Sequence, residues 1–423
     1  MAVKVAVVGA GSTYTPELIE GLLARRDRLP IDEIALLDID EERLRIVGDL
    51  AERMLRRGEW SGRLTRTGRR AEALDGADFV IVQLRVGGNR ARLQDETIPL
   101  RHGLIGQETT GAGGFAKALR TVPIVLELAD ETERRGASGA WFVDFTNPTG
   151  LVTQALLDRG HRAIGLCNVA IGFQRAFARR FGVEPELVQL EHVGLNHLSW
   201  ERAVLVDGVD KLPELLDGAA DELAEDLGLP VDVIRAVGAI PSYYLRYYYV
   251  TERVLSEERT GRPRAEEVLE IETELLERYL DPGLDRKPEL LERRGGAYYS
   301  EAAAALIASL HDGAGDVQVV DVRNDGAIPG LADDDVVEVA ARIDHDGAHP
   351  LPCAPLSPDM AGLVAHVKAY ERLAIRAATT GDRGAALRAL VANPLVADYD
   401  RAAPLLDELL EASREHLPRF FPS

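Results

Sequence analysis

Cys167 and His197 are the side chains best suited to hold a borderline divalent metal, and they lie thirty residues apart in the chain. A thiolate and a neutral imidazole are good ligands for such an ion, and two protein ligands leave coordination positions open for a substrate. Cys167 follows the strand-like run Ala163-Ile164-Gly165-Leu166 and precedes Asn168; His197 ends Gly194-Leu195-Asn196-His197. Zinc often takes more protein ligands, so a two-ligand site suits manganese or another labile divalent ion. His192 is a competing ligand that spacing alone does not exclude. The plainer alternatives are an inert buried cysteine and a structural histidine.

A cofactor signature stands at the start of the chain. Val3-Lys4-Val5-Ala6-Val7-Val8 reads as a buried parallel strand, and Gly9-Ala10-Gly11-Ser12-Thr13-Tyr14 turns it into a helix over about Pro16 to Arg26. Tyr14 takes the third glycine position of the dinucleotide fingerprint. Gly9 permits the tight turn, Gly11 lets backbone N–H groups approach a pyrophosphate, and Ser12 and Thr13 stand within reach of the phosphates. The second strand, Ile34-Ala35-Leu36-Leu37, ends at Asp38 and Asp40, where an acid grips the adenosine ribose. A carboxylate at Asp38 repels a 2′-phosphate and so favours NAD over NADP. A nicotinamide cofactor beside an open metal position points to redox chemistry at a carbon bearing a hydroxyl.

Other segments offer substrate contacts. Asn147, in Asp144-Phe145-Thr146-Asn147-Pro148, follows a further strand and can present an amide to a sugar hydroxyl or the nicotinamide; an ordinary Asn-Pro turn is the alternative. Arg85, Arg90 and Arg92 surround Gly87-Gly88, an arrangement suited to a phosphate or carboxylate. The glycine-rich run from Gly106 to Gly114 reads as a mobile cover, and Tyr243 through Tyr249 hold five of the eleven tyrosines. Tyrosine stripes are usually core packing, but a tyrosine beside a cation can serve as a base.

These segments need a scaffold, and the bulk numbers bound it. The 423 residues are 46% hydrophobic, ample for a large core, and 70 acidic against 49 basic residues give a net charge of −21. That balance argues against nucleic acid and anionic membranes as partners. Two cysteines make no disulfide framework, and no leader or long apolar span opens the chain, so a cytoplasmic site is expected. Strands and helices alternate to about residue 169, predicting an α/β Rossmann-type doubly wound, mostly parallel sheet over 1–169. Short antiparallel runs at 187–206 and 316–323, with long helices at about 218–300 and 357–416, predict a C-terminal α+β domain over 170–423, the whole being lactate/malate dehydrogenase-like.

Taken together the motifs resemble glycoside hydrolase family 4, the NAD- and divalent-metal-dependent glycosidases, an exception to two-carboxylate glycoside hydrolysis. The resemblance runs through Gly9-Ala10-Gly11-Ser12, Gln83 to Gly88, Ile105 to Thr109, Phe145 to Pro148, Cys167-Asn168, Gly194 to His197, Ile240 to Arg246 and Asn324 to Gly330. It implies that Cys167 and His197 hold the metal, that Tyr244 is the proton-abstracting base, and that Glu108 tunes it; Tyr243 is the neighbouring alternative. It implies substrate contacts from Arg85, Arg92, Asn147, Asn168 and Arg264. Asn168 follows the metal cysteine as in 6-phospho-β-glucosidases, where 6-phospho-α-glucosidases have an aspartate acid. The implied reaction takes hydride from C3 to NAD, removes the C2 proton, expels the aglycone from C1, adds water and returns the hydride. The expected substrate is a phosphorylated β-glucoside, and the expected assembly a homodimer or homotetramer. Another specificity of the same family, an NAD-dependent hydroxy-acid dehydrogenase and a non-catalytic NAD sensor are the rivals.

Overall fold

The computed structural model describes residues 3–295 and 298–422. Val3–Val8 (β1) is buried at every position but Lys4, because helices cover both faces of its sheet. Ile31–Leu37 (β2), Arg63–Thr67 (β3), Phe79–Val82 (β4), Trp141–Asp144 (β5) and Ala163–Gly165 (β6) lie parallel with it in the order β6-β5-β4-β1-β2-β3. The connections are Thr15–Ala24 (α1), Glu41–Arg57 (α2), Arg70–Leu74 (α3), Gly88–Arg101 (α4), Gly111–Arg135 (α5) and Thr149–Asp158 (α6), with Val169–Phe181 (α7) leaving β6. The helix expected over Pro16–Arg26 is therefore α1, two residues shorter at its end.

Local chemistry sets these boundaries. The Asp40 carboxylate accepts from Arg43 N at 2.9 Å and caps α2. Glu41 and Glu42 then occupy its first turn and Arg56 and Arg57 its last, complementing the helix dipole. Its Leu44, Val47, Leu50, Ala51, Met54 and Leu55 recur at helical spacing and are buried.

The second half of the chain adds two layers. Val188–Leu195 (β7), Leu198–Val206 (β8), Val209–Asp210 (β9) and Ile240–Pro241 (β10) form a small antiparallel sheet. Val317–Arg323 (β11), Val336–Asp344 (β12) and Gly347–Pro350 (β13) continue the large sheet antiparallel beyond β6, making it nine-stranded. The antiparallel runs expected at 187–206 and 316–323 are thus present, but the second joins the dinucleotide sheet.

The long helices expected over 218–300 and 357–416 are broken into shorter ones. Ala220–Leu227 and Val231–Val237 each end on a glycine, Gly228 and Gly238, at φ +63° and +66°. Thr251–Thr260 stops at Gly261, and Arg264–Tyr279 begins after Pro263. Pro358–Thr380 ends at Gly381, before Arg383–Ala392 and Tyr399–Ala412. Residues 296 and 297 of the expected first span lie outside the described residues.

Candidate active site

A cavity of about 760 Å³ opens at the carboxyl ends of β1, β2 and β4, the edge where ligands bind in such sheets. Gly9, Gly11, Ser12 and Asp38 line it. A Cβ on Gly9, at φ +83°, would lie 2.9 Å from Gln83 O, so the turn tolerates no side chain. One Asp38 oxygen accepts from Gly11 N at 2.7 Å and the other from Asp40 N at 2.9 Å. This fixes the carboxylate at the cavity wall. Thr13 departs from the expectation: it is wholly buried and absent from the lining, and its carbonyl accepts from the Tyr279 hydroxyl at 2.8 Å.

Beyond β6 the chain passes Leu166, whose N–H donates to Asp144 O at 3.0 Å, and reaches Cys167 just before α7. Cys167 is buried, 4% exposed, with its Sγ only weakly engaged by Asn168 Oδ1 at 4.0 Å. Burial, with the Glu338 and Asp321 carboxylates, pushes its thiol well up. Asn196 and His197 are the two residues between β7 and β8. His197 sits at φ +63° and is 3% exposed, and neither ring nitrogen has a hydrogen-bond partner. Burial brings its pKa down to about 4, leaving the neutral imidazole that binds metals.

Tyr244 connects the two. Its ring stacks on His197 with centroids 3.7 Å apart and an interplanar angle of 15°. Burial pushes its phenol well up, with Cys167 the strongest neighbouring charge and Tyr247 and Glu108 acting the same way. Tyr243 instead turns outward, 41% exposed, and its hydroxyl accepts from Arg246 at 2.8 Å. Of the two adjacent tyrosines, Tyr244 is the one whose ring stacks on His197. In His192, the alternative ligand, both ring nitrogens are engaged: Nδ1 pairs with Glu201 at 2.7 Å and Nε2 with Glu338 at 2.9 Å.

Glu108 lies at the centre of a cation cluster. Arg85 and Lys117 pair with it, Lys117 Nζ at 2.8 Å, and Arg92 Nε stands 3.3 Å away. Burial opposes the charge, yet Arg85, Lys117 and Arg92 hold the Glu108 carboxyl well below the usual range. The cluster retains excess positive charge and reaches the cavity through Arg85 and Lys117, a setting for an anionic group. Asn147, joined to Pro148 by a cis peptide, also lines the cavity. Arg264 stands apart from the Cys167–His197–Tyr244 group: it is on the first turn of its helix, bound to Glu267 at 2.6 Å and Arg293 O at 2.9 Å.

The run from Gly106 to Gly114 is not a mobile cover. Gly111 to Gly114 form the buried first turn of α5, where a Cβ on Gly113 would lie 2.3 Å from Gln107 O and 2.4 Å from Asp95 O. The glycines serve close packing instead of motion.

Two site residues escaped sequence reasoning. Lys117 is 4% exposed, and burial with the Arg85 guanidinium brings its pKa down to about 8; a lone lysine inside Gly-Phe-Ala-Lys-Ala-Leu was the available signal. Tyr299 lines the cavity, packs edge-on to Phe145 at 5.5 Å and faces Asn147 and Cys167. No motif marked it.

The residues fit a divalent ion: a buried thiol and an imidazole with two unpartnered nitrogens border one tyrosine. Among the described residues no three His, Cys, Asp or Glu side chains gather as a complete metal cage, as expected where substrate completes the coordination.

Known proteins are similar to this chain over nearly its full length. The family 4 glycosyl hydrolase model matches residues 4–183, and the model for the family's C-terminal domain matches residues 192–396. A probable 6-phospho-beta-glucosidase of Bacillus subtilis strain 168 is 42% identical over 433 aligned residues, covering 99% of this chain and 98% of that protein. The 6-phospho-beta-glucosidase of Thermotoga maritima, solved with manganese, NAD+ and glucose-6-phosphate, superposes with a TM-score of 0.93 at 39% identity, covering 98% and 99% of the two chains. Malate dehydrogenase of Cryptosporidium parvum superposes with a TM-score of 0.50 at 16% identity over 90% of this chain and 99% of that one, a likeness of fold alone.

Proposed function

Because this chain belongs to family 4 of the glycosyl hydrolases, we propose that it hydrolyses 6-phospho-β-glucosides to glucose 6-phosphate and an aglycone, using NAD and a divalent ion, manganese. The observation that carries the reading is the placement of Cys167, His197 and the candidate base Tyr244 around one point, next to a dinucleotide cavity. When bound, NAD supplies reversible hydride transfer at C3 and the ion supplies Lewis acidity at the neighbouring oxygens.

Each remaining task falls to a side chain of this protein. Gly9, Gly11 and Ser12 receive the pyrophosphate, and Asp38 the adenosine ribose. Cys167 as thiolate and His197 as neutral imidazole hold the ion. Tyr244 removes the proton from C2 once C3 is a ketone, because a hydrogen α to a carbonyl is acidic. Its phenol, pushed up in this apolar pocket, needs the positive charge of a cation beside His197 to ionise near neutrality. Loss of the aglycone from C1, addition of water across C1 and C2 and return of the hydride to C3 together make a redox-neutral hydrolysis. Arg85, Arg92 and Asn147 orient the sugar, and the excess positive charge around Glu108 suits a phosphate-bearing one. Arg264, hydrogen-bonded to the carbonyl of the cavity-lining Arg294, is a further contact for the substrate phosphate. Asn168 has no proton to give as a general acid, which fits a β-glycoside whose aglycone leaves with a proton from water.

Two coarser features accompany this reading. Among the described residues no helix is long and apolar enough to cross a membrane, and a phosphorylated substrate with a recycled NAD supports a cytoplasmic location. Leu269 and Leu280, each 52% exposed along or just after helix Arg264–Tyr279, support a homo-oligomer.

The test is hydrolysis of 4-nitrophenyl β-glucoside 6-phosphate with and without NAD+ and Mn2+. Release of nitrophenol that needs both additions, without accumulation of NADH, is expected. Net NADH formation instead would favour a hydroxy-acid dehydrogenase, and preference for the α-anomer or the unphosphorylated glucoside would reassign the substrate.

A further inference from the structure

The turn carrying His197 is anchored from behind by a carboxylate on a different sheet. Glu338, on β12 of the large sheet, is 1% exposed; one oxygen accepts from Asn196 Nδ2 at 3.2 Å and the other pairs with His192 Nε2 at 2.9 Å. His192 on β7 continues through Nδ1 to Glu201 on β8 at 2.7 Å. The chain Asn196–Glu338–His192–Glu201 thus ties the small sheet to the large one, with Glu338, His192 and Glu201 buried and Asn196 half-buried. Asn196 is held from its other side as well: a Cβ on Gly150, the second residue of α6, would lie 2.8 Å from the Asn196 Cβ. His197, next in sequence, occupies a left-handed conformation at φ +63° in the two-residue turn between β7 and β8.

Charge points the same way. The strut sets two carboxyl groups, Glu201 and Glu338, on one imidazole ring, and although burial opposes the charge they raise the His192 pKa to about 10. After burial, Glu338 is the strongest neighbouring charge on both Cys167 and His197, though these come from different elements. Glu338 thus acts electrostatically on both candidate ligands. Both nitrogens of the 3%-exposed His197 ring remain unpartnered.

We propose that Glu338 is a positioning residue of the cation site, fixing the Asn196–His197 turn by its hydrogen bond and attracting the ion by its buried charge. This rests on the reading of Cys167 and His197 as metal ligands. Outer partners of metal ligands commonly govern affinity by 10- to 100-fold.

The experiment is a Mn2+ titration of the purified full chain, read by the electron paramagnetic resonance of free Mn2+, beside an NAD+ titration read by tryptophan fluorescence. Glu338→Gln keeps the shape but removes the charge, and should raise the Mn2+ dissociation constant about 10- to 100-fold with NAD+ affinity within about twofold of the parent. Asn196→Ala cuts the link to the turn while leaving His192 paired, and should raise it about 10-fold; it decides alone if Glu338→Gln does not fold. Unchanged Mn2+ affinity in the folded variants overturns the inference, as does an equal loss of Mn2+ and NAD+ affinity, which marks a general structural defect. A parent protein that binds no Mn2+ overturns the ligand assignment itself, and the inference with it.

Discussion

Replacing His192 with glutamine should flatten the loss of stability that this protein suffers between pH 7 and pH 9. Burial opposes the charge on His192, but Glu201 and Glu338 push its pKa from 6.5 up to about 10. The folded state therefore keeps a proton that the unfolded chain releases above pH 6.5. The stabilisation is fully present below pH 6.5 and is lost as pH rises through about 10. Each pH unit inside that window is worth about 1.4 kcal/mol, so the whole shift is at most roughly 5 kcal/mol and the step from pH 7 to pH 9 about 2.7 kcal/mol. With an unfolding entropy of about 0.9 kcal/mol/K for a chain of this length, that step lowers Tm by about 3 °C. Lys117 works in the opposite sense, since burial and Arg85 lower it to about 8, and its contribution rises with pH. Comparing parent with His192→Gln at both pH values cancels the lysine. Differential scanning fluorimetry should show the parent losing about 3 °C more than the variant over this interval. Parallel losses would refute a protonated His192 in the folded state.

Further outcomes bear on the site and its packing. Tyr244→Phe should abolish solvent-deuterium incorporation at C2 of the sugar while preserving NAD+ binding; retained incorporation, read by proton NMR, reassigns the base. Cys167→Ser should lower hydrolysis by at least about 10-fold, with a weaker response to Mn2+, and activity that survives chelation counts against the metal site. Gly113→Ala forces a methyl group to within 2.4 Å of two carbonyl oxygens. It should cost about 1–3 kcal/mol, read as a Tm lower by a few degrees; an unchanged Tm would show that the α4–α5 junction has room.

The cofactor half of the site was legible because its chemistry is local. Gly9, Gly11 and Asp38 act through a strand, a turn and the next strand, and their spacing is set by backbone geometry. Cys167 and His197 were readable as residue types, and the resemblance to a family supplied their pairing. What spacing could not resolve was which neighbour faces inward. Tyr243 and Tyr244 differ only in the rotation of a short 3-10 turn, and His192 is engaged at Nε2 by Glu338, 146 positions along the chain. The Glu108 cluster is likewise non-local, since Lys117 looked like one polar residue in an apolar helix. The glycines from Gly111 to Gly114 were misread because glycine permits both flexibility and close approach, and only the neighbouring carbonyls of Asp95 and Gln107 distinguish the two. The recruitment of β11, β12 and β13 into the large sheet follows from the free edge of β6, a property of the assembled sheet and of no segment by itself.

The account stands on an ion held jointly by Cys167 and His197. Crystals grown with Mn2+, NAD+ and glucose 6-phosphate, measured on both sides of the manganese absorption edge, test it most directly. The account predicts one anomalous peak bonded to Cys167 Sγ and a His197 ring nitrogen, beside the nicotinamide and next to the Tyr244 hydroxyl. A peak on other ligands, or a sugar and nicotinamide seated together with no metal between these two residues, would contradict it.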